Sequence, residues 1–231
     1  GKLTGAKLPV TDGLAANRML VLAMSADGPG LYLCDPTGSE TTREPIFTVD
    51  PTRGGAQIRF DGTPAERLGA LGEGMEMLAR IEQRAAVLLA FEQLGGADRC
   101  LEMARDYALE RYAFGRPIGS YQAIKHKLAD VFVQNEVLRA NAYFGAWALL
   151  VDAPELPVAA AAARVAGSNA YWLAAKENIQ THGGIGFTWE ADCQLFYRRA
   201  RHLALVLGSV RDWRRRLADG LEAQVAREDR P

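Results

Sequence analysis

Three closely spaced glycines mark the stretch of the chain that is best suited to receive a ligand. Gly183, Gly184 and Gly186 lie within residues 180–201, QTHGGIGFTWEADCQLFYRRAR, between a long alanine-rich helical run and a second run with apolar residues at helical spacing. A Gly-Gly pair just past a helix end permits positive φ and carries no side chains, so another backbone or a flat ligand can come close. A helix C-cap followed by a tight turn has the same composition, so both interpretations stay open at this point.

A second string, at residues 110–130, reads ERYAFGRPIGSYQAIKHKLAD. Together the two strings resemble segments of the flavin-dependent acyl-CoA dehydrogenases, Q-x-x-G-G-x-G-F/Y near the C-terminus and R-x-x-F-G-x-x-I-x-x-x-Q-x-x-x-x-x-x-A-D before it. They occur in the family's order and at about the family's separation, and the resemblance extends from near Gly5 to about Ala218. It implies oxidation of the Cα–Cβ bond of an acyl-CoA thioester, in which a carboxylate removes the α proton while a hydride passes to FAD.

In this family the adenine and pyrophosphate of FAD lie at a dimer interface and are held partly by the neighbouring subunit. The resemblance places eight residues of this chain at that half of the site: Arg111, Phe114, Gln122, Gln180, Thr181, His182, Gly183 and Gly184. Their chemistry suits the role, because a guanidinium binds a diphosphate, an amide hydrogen-bonds adenine or ribitol, and glycines let backbone N–H groups approach phosphate oxygens. The resemblance therefore predicts an intact half-site that serves a neighbouring subunit.

The half of the site that covers the flavin ring is altered. The family's W-I/V-T-N/S-G segment aligns with PVTDG at residues 9–13, so Thr11 keeps the family's threonine while Pro9 stands where an aromatic side chain covers the ring. A proline ring cannot stack like an indole and offers no backbone N–H. The first half of the family's β domain and its N-terminal helical domain have no counterpart in the sequence, which resembles about the last two-thirds of such an enzyme. We therefore expect no complete flavin pocket within this chain alone.

Neither of the family's two positions for the catalytic carboxylate carries an acid. Counting forward from the glycine motif puts one position at Leu207, and counting back from the second string puts the other, on the first long helix, at Ala85. The nearest acids are Glu82, almost one turn earlier, and Glu92, two turns later on the same face. Glu92 adjoins an apolar run, residues 87–91, where burial would tune a carboxylate toward base chemistry, although two turns amount to about 10 Å. Glu92 and, behind it, Glu82 are the candidate bases.

Composition argues against several other classes of function. The chain has 231 residues, 48% hydrophobic and 24% charged, with 27 basic against 28 acidic side chains, so no net field favours nucleic acid or an anionic membrane. Seven arginines between residues 198 and 216 form one basic cluster, but acids are interspersed and no aromatic platform accompanies a groove. Three isolated cysteines fit a reducing cytoplasm, and no metal motif, signal peptide or membrane span is recognisable. We expect a cytoplasmic protein with neither a nucleic-acid nor a membrane partner.

The hydrophobic periodicity changes near residue 70. Before it, short runs rich in Val, Leu, Ile and Phe alternate with turn signals such as Asp12-Gly13 and Asp61-Gly62, and these runs lie at residues 19–24, 31–34, 46–49 and 58–60. After it come runs at helical spacing, at residues 75–112, 120–150 and 158–180, from about 190, and at 210–226. The predicted fold class is α+β, mainly α, with a partial antiparallel β domain over residues 1–70 followed by an antiparallel four-helix bundle over residues 71–231.

The intact neighbour-serving half-site, the altered flavin-ring segment and the missing base lead to one functional prediction. The chain is expected to be a non-catalytic acyl-CoA dehydrogenase subunit that completes the FAD site of a homologous catalytic partner. The expected assembly is the α2β2 arrangement of paired actinobacterial enzymes that act on steroid side-chain or other bulky acyl-CoA thioesters. Two alternatives remain: a homomeric active enzyme with Glu92 or Glu82 as base, and a flavin-free scaffold that keeps only the dimerising bundle.

Overall fold

Five antiparallel strands form the sheet of the N-terminal part in a computed structural model that describes residues 1–228. In chain order they are β1 (Lys2–Thr11), β2 (Met19–Ser25), β3 (Gly28–Cys34), β4 (Thr41–Ile46) and β5 (Gly55–Leu68). The long β5 pairs with β1, β3 and β4, and β2 pairs with β3. Side chains alternate along β5, because Ala56, Ile58 and Phe60 are buried in the core of the sheet while Arg59 is exposed.

Three details of the strand prediction are wrong, and each involves residues that usually interrupt strands. The sequence pattern misses β1, whose register against β5 shifts between Lys7 and Val10, where Pro9 lies. Residues 46–49 are not a strand, because β4 is the polar segment TTREPI and ends at Ile46. Asp61-Gly62 is not a turn but a β-bulge: Gly62 takes a φ of 74° and β5 continues to Leu68.

Five helices follow the sheet and confirm the predicted helical bundle. They are α1 (Gly74–Glu110), α2 (Gln122–Leu150), α3 (Leu156–His182), α4 (Cys193–Leu205) and α5 (Val210–Glu228). A hairpin of β6 (Tyr112–Ala113) and β7 (Arg116–Pro117) joins α1 to α2. The chain divides into two compact units after Glu82, which lies within α1. The first unit contains the sheet, and the second contains most of the helical bundle.

The alanine-rich α3 is the most buried helix of the bundle, because small side chains let its neighbours approach closely. One cluster joins Val87 of α1, Ala148 of α2, Ala160 of α3 and Trp213 of α5. A second cluster lies nearer the other end of α3 and brings in α4 through Leu203. The helices that carry the candidate site residues are thus fixed against one common helix.

Arg164 of α3 is a buried cation that the sequence pattern does not single out. Its side chain donates hydrogen bonds to Gln93 Oε1 at 3.2 Å, to Ser168 Oγ at 3.1 Å, and to the main-chain carbonyls of Leu203 and Val206. Burial lowers the pKa of Arg164 to about 10, so the guanidinium is still charged at neutral pH. A charged donor satisfies carbonyls at the end of α4 that the helix itself leaves open, and it ties that end to α3.

Candidate functional site

The three glycines after α3 differ in conformation and in surroundings. Gly183 caps the helix with a φ of 64°, and its N–H bonds to the carbonyls of Gln180 and Ile179. Gly186 is buried, and a Cβ there would lie 2.9 Å from the Ile179 carbonyl oxygen, so packing excludes a side chain. Gly184 is exposed, has no left-handed φ, and a Cβ there would meet nothing within 4 Å. Neither conformation nor packing within the chain requires glycine at position 184, and the open space leaves room for a ligand to approach the backbone there.

The last turn of α3 supports this glycine turn. Thr181 is buried and its hydroxyl donates to the Glu177 carbonyl at 2.7 Å, which makes its side chain part of the helix rather than a group free to bind a ligand. Gln180 is exposed. His182 is half-buried, with Nδ1 2.9 Å from the Asn178 carbonyl oxygen. Since a carbonyl only accepts, the proton of this bond lies on Nδ1, and Nε2 of a neutral His182 is left as an acceptor.

The second string forms a short hairpin with an exposed aromatic tip. The Arg111 N–H donates to the Tyr107 carbonyl and so continues from the last turn of α1, while the Arg111 carbonyl accepts from the Ile118 N–H at the far side of the hairpin. Phe114 and Gly115 occupy the tip with φ values of 52° and 79°, and the Phe114 side chain is 97% exposed. An aromatic ring this exposed, at the tip of a short hairpin, is available for contact with another molecule.

A stacked ring pair brings the two strings together. Tyr107 lies one turn before Arg111, and its ring stacks on His182, immediately before Gly183, with centroids 4.2 Å apart. At the other end of the hairpin, the Tyr121 hydroxyl donates to the Ala113 carbonyl at 3.0 Å, and Tyr121 directly precedes Gln122, the first residue of α2. The predicted half-site residues therefore share one end of the bundle, where Gln122 is exposed beside the positive N-terminus of α2.

The two family positions of the base lie in apolar surroundings. Leu207 is half-buried and packs against the cluster that contains Ala86 and Val87, and Ala85 is the half-buried residue before them. Leu207 has a φ of 64°, a left-handed value that leucine rarely adopts. The Leu207 carbonyl accepts a hydrogen bond from Trp213 Nε1 at 2.8 Å. The turn is thus held in a defined conformation with hydrocarbon where a base would stand.

The apolar environment predicted for Glu92 is wrong. Its carboxylate is 40% exposed and lies 3.3 Å from the guanidinium of Arg199 on α4. The side chain leaves the apolar run because position 92 falls on the outer face of α1, while Gln93 and Leu94 turn inward. An exposed carboxylate beside an arginine lacks the desolvation that favours general-base chemistry. Glu82, the other candidate, is half-buried near the start of α1.

The flavin-ring segment lies on β1, in the N-terminal unit. Pro9 is exposed, and Thr11 is half-buried and pairs with Gly55 at the end of the strand. No aromatic side chain stands at either position. Within residues 1–228, no helix combines the length and apolar character needed to cross a membrane, and no three or more His, Cys, Asp or Glu side chains gather into a metal site.

Comparison with known proteins agrees with this geometry. Residues 72–221 match the family model "Acyl-CoA dehydrogenase, C-terminal domain". The chain is 42% identical over 176 residues to the acyl-CoA dehydrogenase IpdE2 of Mycobacterium tuberculosis, covering 75% of this chain and 50% of that protein. It is 37% identical over 206 residues to IpdE2 of Mycolicibacterium smegmatis, covering 88% of this chain and 58% of that protein. The chain therefore spans about half the length of these curated relatives.

A solved structure shows the same likeness in three dimensions. The steroid ACAD named Tcur3481-Tcur3483 superposes with a TM-score of 0.88 at 28% identity, over 97% of this chain and 60% of that one. The match to the family model, residues 72–221, includes α1 to α4 and most of α5. It therefore contains both sequence strings that predicted the site. The chain belongs to the acyl-CoA dehydrogenase family.

Proposed function

We propose that this chain is a subunit of an FAD-dependent acyl-CoA dehydrogenase, and that it completes the FAD site of a homologous catalytic subunit without supplying a base of its own. The observation that carries the proposal is the open glycine turn at Gly183 and Gly184, which the Tyr107–His182 stack brings to the same end of the bundle as Arg111. A diphosphate that approaches the backbone at this turn would account for it, because N–H groups there can reach phosphate oxygens only where no side chain intervenes.

The residues around Gly184 fit the adenine and diphosphate end of FAD. Arg111 supplies a cation, Gln122 an exposed amide and Gln180 a second one, while His182 is oriented by its bond to Asn178. Phe114 would contact the catalytic subunit or the adenine from its exposed position at the hairpin tip. FAD bound here would accept the hydride released from the acyl chain; the residues of this chain would bind and orient it.

The absence of a carboxylate at Ala85 and Leu207 supports a non-catalytic role. A base must lie within hydrogen-bond reach of the α proton and be tuned by its surroundings. Glu92 is exposed and contacts Arg199, so it lacks the desolvated surroundings that favour such a base. The homomeric alternative would need Glu82, and the scaffold alternative would leave the open Gly184 turn without a purpose.

Bulky acyl-CoA thioesters, such as those with steroid side chains, are the substrate class that we propose for the assembly. The support comes from the steroid ACAD Tcur3481-Tcur3483, whose name joins two components and whose structure this chain matches at 28% identity. An α2β2 assembly of this chain with a catalytic subunit, in the cytoplasm, is the arrangement that we propose for it.

An arginine substitution tests the role of the half-site. Arg111→Ala in the complex with the catalytic subunit of the same family should weaken FAD retention by about 10- to 100-fold, because a charge-assisted hydrogen bond contributes about 1.5–3 kcal/mol. The measurement is FAD per complex, by absorbance after gel filtration at graded dilution. Arg99→Ala is the matched control, since Arg99 is an exposed arginine on α1, the helix that ends just before Arg111, and its partner is Glu102.

The outcomes separate the three readings of the chain. Loss of FAD in Arg111→Ala with normal retention in Arg99→Ala supports the half-site. Unchanged FAD in both variants supports the flavin-free scaffold. FAD bound by the isolated chain, together with dehydrogenase activity, supports the homomeric enzyme and contradicts the proposal.

A further inference from the structure

A buried carboxylate lies near the end of α3 that leads into the glycine turn. Glu177 is only 7% exposed, and its two carboxylate oxygens face two different lysines. Lys176, its neighbour in sequence, lies 3.0 Å from Oε1, and Lys127 of α2 lies 3.3 Å from Oε2. Among the described residues Oε2 accepts no hydrogen bond, so the charge of Lys127 offsets its burial. Lys127 is the partner that ties Glu177 to another helix.

The remaining contact between α2 and α3 is made largely of small side chains. A Cβ on Gly167 would lie 3.4 Å from Leu138 Cδ1, and Val131 shares a buried cluster with Ala174 and Ala175. Residue numbers fall along α2 as they rise along α3, so the two helices are antiparallel. Helices that meet through alanine and glycine interlock less deeply than helices that meet through large side chains, so packing fixes their axial register less strictly.

The ion pair lies equally far from the two helix ends that carry the half-site. α2 begins at Gln122, five residues before Lys127, and α3 ends at His182, five residues after Glu177. At the helical rise per residue both distances are about 7.5 Å. Because the helices are antiparallel, equal steps from the pair reach the same level of the bundle. The pair therefore holds Gln122 level with His182 and with Gly183, which follows it.

We propose that Lys127 and Glu177 are positioning residues of the FAD half-site, and that their ion pair sets the axial register of α2 against α3. In this register the Gln122 amide lies level with the glycine turn at Gly183 and Gly184. The inference rests on the proposed function, since the pair acts on FAD only through the residues that it aligns. A slip by one residue would displace Gln122 by about 1.5 Å along the bundle, enough to break a hydrogen bond to a bound ligand.

Removal of the lysine tests the pair without leaving a buried charge alone. In Lys127→Met, Glu177 keeps Lys176 as a counter-ion, and the methionine replaces the apolar stem of a side chain that is 45% exposed. FAD retention by the complex with the catalytic subunit should fall about tenfold, measured as FAD per complex after gel filtration at graded dilution. Lys127→Arg keeps the charge and should restore retention to within about twofold of the wild type.

Arg139→Met is the matched control for the loss of an ion pair between helices. Arg139 also lies on α2 and pairs with another helix, through Asp98 of α1 at 2.8 Å, but it is almost five turns from Gln122. It should lower the midpoint of urea denaturation about as much as Lys127→Met does, and FAD retention should stay unchanged. Equal loss of FAD in the two variants would overturn the proposal, because it would show a general effect of stability.

Glu177→Gln separates positioning from direct contact between Lys127 and FAD. If Lys127 bound a phosphate itself, removal of the competing carboxylate would free its ammonium group and strengthen FAD retention. Under the proposal Glu177→Gln weakens retention about tenfold, as Lys127→Met does, because the register is lost while the lysine is still present. Tighter FAD binding in Glu177→Gln would overturn the proposal.

A double-mutant cycle with Gln122→Ala tests whether the pair acts through that amide. Gln122→Ala alone should weaken FAD retention about tenfold, and Lys127→Met should add less than about twofold in that background. Effects that multiply would overturn the proposal, because the lysine would then act independently of Gln122.

Arg111→Ala distinguishes failure of this inference from failure of the half-site. If Arg111→Ala releases FAD and Lys127→Met does not, the positioning role is wrong and the half-site stands. If neither variant changes FAD retention, the proposed function fails and the positioning role fails with it.

Discussion

Two turns of this chain share a positive φ and differ in their surroundings. Gly183 after α3 and Leu207 after α4 both have a φ of 64°. The first turn is open, because a Cβ at Gly183 or Gly184 would meet nothing within 4 Å. The second is closed, because Leu207 packs into the bundle and its carbonyl is bound by Trp213. The family resemblance places the first turn beside the cofactor, and the second turn is one of the family's two positions for the base.

The difference shows which function each turn can retain. A left-handed leucine costs about 1–2 kcal/mol and persists only where neighbours fix it, as Arg164 and Trp213 do here. These contacts preserve the conformation of the turn at Leu207, while the Leu207 side chain contributes to core packing. The first two glycines of the other turn have no neighbours of this kind, so their backbone is open to a ligand or partner.

The largest effect is expected at the closed turn. Arg164→Met should lower the free energy of unfolding by about 3–5 kcal/mol, because it leaves buried acceptors on Gln93, Leu203 and Val206 without a donor. Urea denaturation followed by circular dichroism measures this. Arg214→Met, at an exposed arginine bonded to Asn169, should change stability by less than about 0.5 kcal/mol. Equal stability of the two variants would show that the hydrogen bonds from Arg164 do not stabilise the end of α4 and the Leu207 turn.

The open turn should respond in the opposite way. Gly184→Val should leave the unfolding transition within about 0.5 kcal/mol of the wild type, since its side chain enters empty space. FAD retention by the complex should fall about 10- to 100-fold, because the added methyl groups keep phosphate oxygens away from the backbone. Gly95→Val is the control, as Gly95 is also exposed with nothing within 4 Å. Full FAD retention in Gly184→Val would contradict the proposal that FAD approaches the backbone at this turn.

The smallest effect is expected at Glu92. Glu92→Gln should leave the activity of the complex unchanged and alter stability by less than about 1 kcal/mol, since an exposed ion pair with Arg199 contributes little. Steady-state kinetics with an acyl-CoA substrate provide the test. A fall of 100-fold or more in kcat would identify Glu92 as the base and restore the homomeric reading.

Much of the bundle could be predicted, because long alanine-rich runs with short breaks have a strong helical period. The sheet was harder. The pattern missed β1 and misplaced β4, since Pro9, Pro45 and Gly62 are strand-interrupting residues that edges and bulges accommodate. One helix start had a readable signal: Ser209 and Asp212 form a capping box ahead of α5, with the Ser209 hydroxyl 2.6 Å from Asp212 Oδ2. Hydrogen bonds from Ser209 lower the pKa of Asp212.

The two sequence strings indicated which residues share one end of the bundle, but they did not indicate how those residues differ in conformation and contacts. Two sequence strings located Arg111 and the glycines, yet their spacing could not separate the capping Gly183 from the unexplained Gly184, which depends on φ and on empty space. Nor could it show that Thr181 is bonded back into α3. The exposure of Glu92 depends on which side of α1 faces α4, and a neighbouring apolar run does not reveal that.

Flavin content per chain, measured by absorbance and protein assay for the chain alone and for the chain co-purified with its catalytic subunit, tests the central claim most directly. A colourless chain alone and one FAD per pair of chains in the complex are the expected results. One FAD per chain in the isolated protein would contradict the claim, because the chain would then hold the flavin without a partner despite Pro9.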